Sequence, residues 1–197
     1  MNGQALVVAL GKPANAKTFG DLADIYLRTV LKAGSNFQRV DIVFDRYRKE
    51  TIKGATRTRR TKAARPIRRI VEGRDVPLPI NWTNFLSLPD NKVDLANFLS
   101  EEMCSQAPDD KEIVVAGGFR DELEARSSKT TTDMTQLRAT HEEADTTCRL
   151  VLHAMHNNFK TVVVSSRDTD VFLLLVSHFP RMQCKNLWMM SGTAKKC

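Results

Sequence analysis

Apolar positions recur along this chain in two periods, and the two alternate. Phe19, Leu22, Tyr26 and Val30 repeat at helical spacing between Thr18 and Ala33. Thr18 with Asp21 three residues on is a capping-box start, and Gly34-Ser35-Asn36 is a stop. A second helix is predicted over 92–105, with Val93, Ala96, Phe98 and Leu99 as apolar contacts and Pro108 just past its end. A third follows Thr140, where Ala144, Cys148, Val151 and Met155 form the stripe and Thr140 with Glu143 the capping box. Short β-branched runs stand between them: Arg39–Asp45 (RVDIVFD), Glu112–Ala116 before Gly117-Gly118, Thr161–Val164 after Asn157-Asn158, and Asn186–Met190. Ala5–Leu10 fits either a short buried strand or the opening of a helix. Strands alternating with helices predict a three-layer α/β domain with a central, mostly parallel sheet.

Two stretches escape this alternation. Residues 70–91 read as an insertion, and Val76–Pro89 within it holds Pro77, Pro79 and Pro89, which predicts little regular structure. Trp82 and Phe85 there either pack onto the body or stack on bases. Glu124–Thr140 is polar and rich in Ser and Thr, and reads as a mobile loop. No repeat is present. The 197 residues suit one domain, large enough to bury a core.

Composition narrows the classes. With 42% hydrophobic and 27% charged residues, the chain reads as a folded soluble protein. No apolar run nears the roughly 20 residues that span a bilayer. The N-terminus lacks a basic and apolar leader pattern, so an intracellular protein, nuclear or cytoplasmic, is expected. Cys104, Cys148, Cys184 and Cys197 are widely spaced and read as reduced thiols. His153 and His156 share a helix face but lack a third ligand at metal spacing.

Charge changes the picture more. The net +7 is concentrated in residues 46–69, which carry eleven Lys/Arg and one acid, Glu50, a local +10. The remainder is therefore about −3. A solvated basic helix would interleave Glu with its Lys and Arg, so a phosphate-backbone partner, DNA or RNA, is the better reading. Lys53, Arg57 and Arg60 fall on one helical face, Arg59 and Lys62 lie in the same run, and Pro66 ends or kinks it.

The acids fall where the alternation predicts a crevice. Asp45 ends the first strand, Glu142, Glu143 and Asp145 head the third helix, and Asp168 and Asp170 follow the third strand. Loops after parallel strands face the ligand edge of such sheets. Several carboxylates gathered there suit Mg²⁺ or Mn²⁺, and two such ions about 4 Å apart assist phosphodiester displacement. Each acid also has a plainer role: Asp45 and Asp168 as turn residues, Glu143 as a capping-box member.

The residues resemble the flap-endonuclease/PIN-like (5′-nuclease) superfamily from Val40 to about Leu175. VFD with Asp45 resembles the strand-end aspartate of that family. Lys53 and Arg60 resemble its pair of basic residues on the arch helix, which contact the scissile phosphate. Glu143-Ala144-Asp145 is similar to its E-A-E motif, and Asp168-Thr169-Asp170 to its D-x-D. FDRYR, RTRRTK, HEEADT and SSRDTDV together resemble metazoan proteins carrying this domain. The resemblance implies a Rossmann-like fold with a basic arch over 46–69. It also implies a two-metal site of Asp45, Glu143, Asp145, Asp168 and Asp170, with Lys53 and Arg60 acting on the phosphate. Glu142 is an alternative to Glu143 if the helix starts earlier. The chain departs from the family at Asn2, where an aspartate is expected, in lacking the strand before it, and in stopping short of the helix-hairpin-helix region. A catalytically inactive nucleic-acid-binding remnant is therefore the alternative. A haloacid-dehalogenase-type phosphatase built on Asp168-Thr169-Asp170-Val171 ranks below both, because Ser165-Ser166-Arg167 separates its acids from the strand.

Overall fold

The computed structural model describes residues 1–44, 67–121, 123–137, 143–182 and 184–191, without the side chains of 136, 143–145 and 148. In chain order the elements are α1 (Gly3–Leu10), α2 (Phe19–Ala33), β1 (Arg39–Val43), α3 (Trp82–Ser87), α4 (Pro89–Ser105), β2 (Glu112–Ala116) and β3 (Ala125–Ser127). A 3₁₀ turn (Thr135–Leu137), α5 (Glu143–His156), β4 (Thr161–Ser165), α6 (Thr169–Met182) and β5 (Asn186–Met190) complete them. The architecture is mixed α/β with a mostly parallel pairing pattern.

The predicted cap of α2 is present. Thr18 Oγ1 accepts from the Asp21 amide at 3.2 Å and Asp21 returns the bond to the Thr18 amide at 3.0 Å. This satisfies two of the amides that a helix start leaves unpaired. The ambiguous N-terminal segment is a helix, because Asn2 Oδ1 accepts from the Ala5 amide and supplies the cap.

β1 and β2 pair in parallel from Arg39 opposite Glu112 to Val43 opposite Ala116, and β3 adds antiparallel to β2. Alternation along β1 and β2 divides the core. Val40, Ile42, Phe44, Ile113 and Val115 pack against α1, α2 and α4. Val43, Val114 and Ala116 turn the other way, onto Leu137 of the 3₁₀ turn and Leu150 of α5. Helices thus cover both faces of this sheet, as a parallel pair buried on both sides requires. β4 and β5 pair in parallel as a second sheet, which packs Val164 against Val151, Val171, Leu175 and Met182.

Four expectations are corrected. The single central sheet is two sheets, because β1 and β4 line a shared cleft without pairing. The insertion is not irregular: α3 lies within it, and α4 begins at Pro89 rather than Lys92, since proline is tolerated in a first helical turn. Its strand-like part is tied to the start of α2. The Phe19 and Gly20 amides donate to Val76 O and Arg74 O, and the Leu78 amide to Lys17 O. Over the described part of Glu124–Thr140, residues 124–137, β3 and the 3₁₀ turn stand in the expected loop. Ser128 donates its amide to Ile113 O, and Ser127 and Thr132 hydroxyls reach Glu112 Oε1 at 2.8 and 2.7 Å. Finally, the acidic turn after β4 opens a fourteen-residue helix, α6, for which no separate element was foreseen.

Candidate functional site

Arg39, at the start of β1, aligns the chain's candidate chemistry. Its guanidinium lies 5.9 Å from the ring centre of Phe159, just before β4, and 3.1 Å from Nδ1 of His153, near the end of α5. The beginnings of β1 and β4 and the end of α5 therefore meet at one edge. The ends of β1 and β4 and the first turn of α5 lie towards the opposite edge. At that edge β1 ends, the backbone of Glu143 and Asp145 opens α5, and Asp168 and Asp170 follow β4.

Of the five candidate metal ligands, Asp168 and Asp170 have described side chains, and both are exposed. Asp168 is the N-cap of α6. Its Oδ1 accepts from the Asp170 amide at 2.9 Å, its carbonyl accepts from the Phe172 amide, and its own amide donates to Ser166 Oγ at 3.1 Å. Asp170 lies in the first turn, at the positive end of the helix. The turn-residue role is thus real for Asp168, and it also fixes the direction of the carboxylate. Asp45 lies outside the described residues, as do Glu142, Lys53, Arg57, Arg59, Arg60 and Lys62. Glu143 and Asp145 are described only as backbone. Among the described side chains, no three His, Cys, Asp or Glu are grouped at metal-ligating distance.

The described end of the basic stretch is tied to α4. Arg68 donates to Asp94 at 2.6 Å and to Asn91 Oδ1 at 3.0 Å. Asn91 is fully buried and also holds the Arg69 amide and the Ile67 carbonyl. Arg74, further on, pairs with Asp24 and Glu102. Trp82 and Phe85 stack on each other with centroids 5.2 Å apart and are buried in the main core. They pack the insertion down, as the first of the two readings had it, and are not displayed for base stacking.

Two features were not singled out from sequence. The first is the buried polar node on β1, where Arg39 holds Asp41 through two bonds of 2.7 and 3.1 Å and continues to His153. Arg39 and Asp41 are two apart on a strand and so share a face, which is the signal available in RVD. The guanidinium can only donate, so His153 Nδ1 accepts, and Nε2–H donates to Asp133 O at 2.8 Å. The second is Gly3, on which a Cβ would stand 2.7 Å from the Phe44 ring. α1 therefore rests directly on the residue that precedes Asp45.

Comparison with family models, with curated proteins and with solved structures returns no match for this chain.

Proposed function

We propose that the chain is a PIN-like, Rossmann-like nuclease domain that hydrolyses phosphodiester bonds of DNA or RNA with Mg²⁺ or Mn²⁺. One observation supports the reading: the end of β1, the start of α5 and the end of β4 lie towards one edge, where Asp168 and Asp170 are exposed. Exposed carboxylates are the hard oxygen donors that these cations take, and Asp168 is already oriented by its cap. Asp168 and Asp170 would hold the metal, with Asp45, Glu143 and Asp145 completing the set. Such ions, when bound, polarise the phosphate and lower the pKa of the attacking water. Lys53 and Arg60 follow Asp45 in sequence and would neutralise charge on the phosphate; Arg57, Arg59 and Lys62 would hold the flanking backbone.

A specific observation favours the inactive, nucleic-acid-binding reading as second. Asn2 stands where the family resemblance expects an acid, and its Oδ1 is engaged with the Ala5 amide at 2.6 Å. A neutral side chain occupied in capping contributes no charge to a metal set.

The deciding experiment incubates the chain with labelled single-stranded, duplex and 5′-flap substrates in Mn²⁺, beside the Asp168→Asn/Asp170→Asn variant. Cleavage that vanishes in the variant supports the nuclease. Cleavage that survives it sinks the assignment. Salt-sensitive binding without cleavage, lost on replacing Lys53, Arg57 and Arg60 by Ala, establishes the second reading.

A further inference from the structure

β5 pairs β4 along one edge, and among the described residues no strand pairs it along the other. The ladder to β4 shows which groups the free edge presents. The Asn186 amide donates to Lys160 O at 3.1 Å, and Met190 O accepts from the Ser166 amide at 3.2 Å. Backbone groups of successive strand residues point to opposite sides, so Asn186, Trp188 and Met190 bond towards β4. The amides and carbonyls of Leu187 and Met189 therefore point to the free edge. Edge strands are ordinarily blunted by Lys, Pro or a bulge. Asn-Leu-Trp-Met-Met carries neither Lys nor Pro, and its register with β4 runs unbroken.

The surface around that edge is apolar. Leu187 and Met189 pack inward with Val164 and α6, which puts Trp188 and Met190 on the opposite face of the sheet. α6 is the crossover between β4 and β5, and so lies over this pair. Its Phe172, Leu173, Val176 and Phe179 fall on one side, next to its buried face. These six side chains are each 49–63% exposed. Each of the three aromatic rings leaves roughly 100 Å² in solvent, from whole-ring areas of about 150–250 Å². All six expose roughly 600 Å², near the approximately 800 Å² that each partner of a standard interface covers.

We propose that this edge binds a second copy of the chain, whose β5 adds antiparallel across a twofold axis at Trp188. Trp188 is the middle residue of β5, so this register pairs all four free edge groups within the strand. Leu187 stands opposite the partner's Met189, and each such pair exchanges two N–H···O bonds. Trp188 meets the partner's Trp188 as a non-hydrogen-bonded pair, where side chains come closest. A central aromatic anchor of this kind is typical of the residues that dominate an interface. Lys185 falls opposite the partner's Ser191 and not its own copy, so like charges are not opposed. The joined sheet carries both α6 helices on one face and both Trp188 rings on the other. Because the two β5 strands are antiparallel, the edges bearing Asp168 open in opposite directions.

The test runs the full chain in sedimentation velocity at about 1 and about 100 µM, beside Trp188→Lys. The expected result is a dimer at the higher concentration, with dimerisation at least tenfold weaker in Trp188→Lys at unchanged circular dichroism. If Trp188→Lys loses the parent spectrum, the β-branched Trp188→Thr is read in its place. Oxidation then reads the register. Non-hydrogen-bonded partners have Cα atoms about 4.5 Å apart, within disulfide reach, whereas position 186 lies about 14 Å from its own copy. Peptide mapping is expected to find an interchain disulfide at position 188 in Trp188→Cys, and none at position 186 in Asn186→Cys. A parent chain that stays monomeric at the higher concentration overturns the proposal and leaves the surface to a different partner. A dimer unchanged by the Trp188 substitutions, or equal cross-linking at the two positions, overturns it as well.

Discussion

Arg39 and His153, 114 positions apart, meet at 3.1 Å between Nη1 and Nδ1. The contact ties the start of β1 to the end of α5 and so orients the candidate carboxylate edge at the far end of both. Arg39 is almost fully buried, its side chain 4% exposed, and Asp41 supplies the compensating charge through two bonds. Removing one partner of such a pair leaves the other charge buried and unpaired. Asp41→Ala is expected to destabilise the fold by about 3 kcal/mol, whereas the double replacement Arg39→Met/Asp41→Leu recovers most of that loss. Urea unfolding of the three chains measures both. An Asp41→Ala cost below about 0.5 kcal/mol would show that the pair behaves as an exposed one.

How far the sequence discloses this arrangement depends on how local the cause is. The α2 cap, the helix α5 and the β-branched run of β4 arise from neighbouring residues, and each is found where its pattern predicts. β3 is only three residues long, and Ala125-Arg126-Ser127 shows no alternation; it forms because the free edge of β2 is there to receive it. α3 is concealed by the prolines on either side of it, and burial of Trp82 and Phe85 holds it. The run Phe172–Val176 is apolar without helical gaps, and Pro180 interrupts the pattern again, so α6 has no helical stripe to show in the sequence. For the site, sequence spacing brought acids to strand ends and a helix start. It could not disclose that one of those acids caps a helix, nor that Asn2 is spent on another.

The capping box of α2 gives a pH dependence of known sign. The amides of Lys17 and then Thr18 hold Asp21 below the ordinary carboxylate range. A carboxylate depressed in the folded state stabilises the fold above its unfolded value near 3.8, and this contribution is lost as pH falls through the lower folded value. Acid titration of thermal stability is expected to show a component below about pH 4 that disappears in Asp21→Asn. Thr18→Ala, which removes the reciprocal acceptor, is expected to cost about 1 kcal/mol at neutral pH. Identical acid limbs for the parent and Asp21→Asn would contradict the assignment.

Cys104 is a thiol that should not react. Burial pushes it up to about 11, outweighing the nearby Arg126, which pulls it down. Since the thiolate is the nucleophile, alkylation by iodoacetamide at pH 8 is expected to run about 100-fold slower than for an exposed cysteine. Peptide mapping after a timed pulse checks this. Labelling of Cys104 at the rate of free cysteine in the folded chain would place its sulfur in solvent.

Gly3 allows α1 to lie on the end of β1. An added Cβ would meet three atoms of the buried Phe44 ring within 2.8 Å, so the ring or the helix must move. The Tyr26 hydroxyl donates to Gly3 O at 3.0 Å and opposes movement of the helix. Gly3→Ala is expected to cost about 1 to 3 kcal/mol, as overpacking of a full core does. Thermal unfolding reads the loss. Phe44→Leu, which shortens the obstructing ring, should recover part of it in the double variant. A Gly3→Ala chain as stable as the parent would mean that the ring yields freely.

Asp168 caps α6, and substitution can separate that role from the metal-ligand role proposed for it. As the N-cap of α6 it needs only a side-chain oxygen for the Asp170 amide, and asparagine supplies one as well as aspartate does. As a metal ligand it needs a negative oxygen donor, which asparagine lacks. Asp168→Asn is therefore expected to leave stability within about 0.5 kcal/mol of the parent while abolishing Mn²⁺-dependent cleavage. Asp168→Ala should lose cleavage and about 1 kcal/mol of stability as well. Chemical unfolding beside a nuclease assay on the same preparations gives both readouts. If Asp168→Asn cleaves as the parent does, the residue is a cap alone, and the candidate metal set must be built without it.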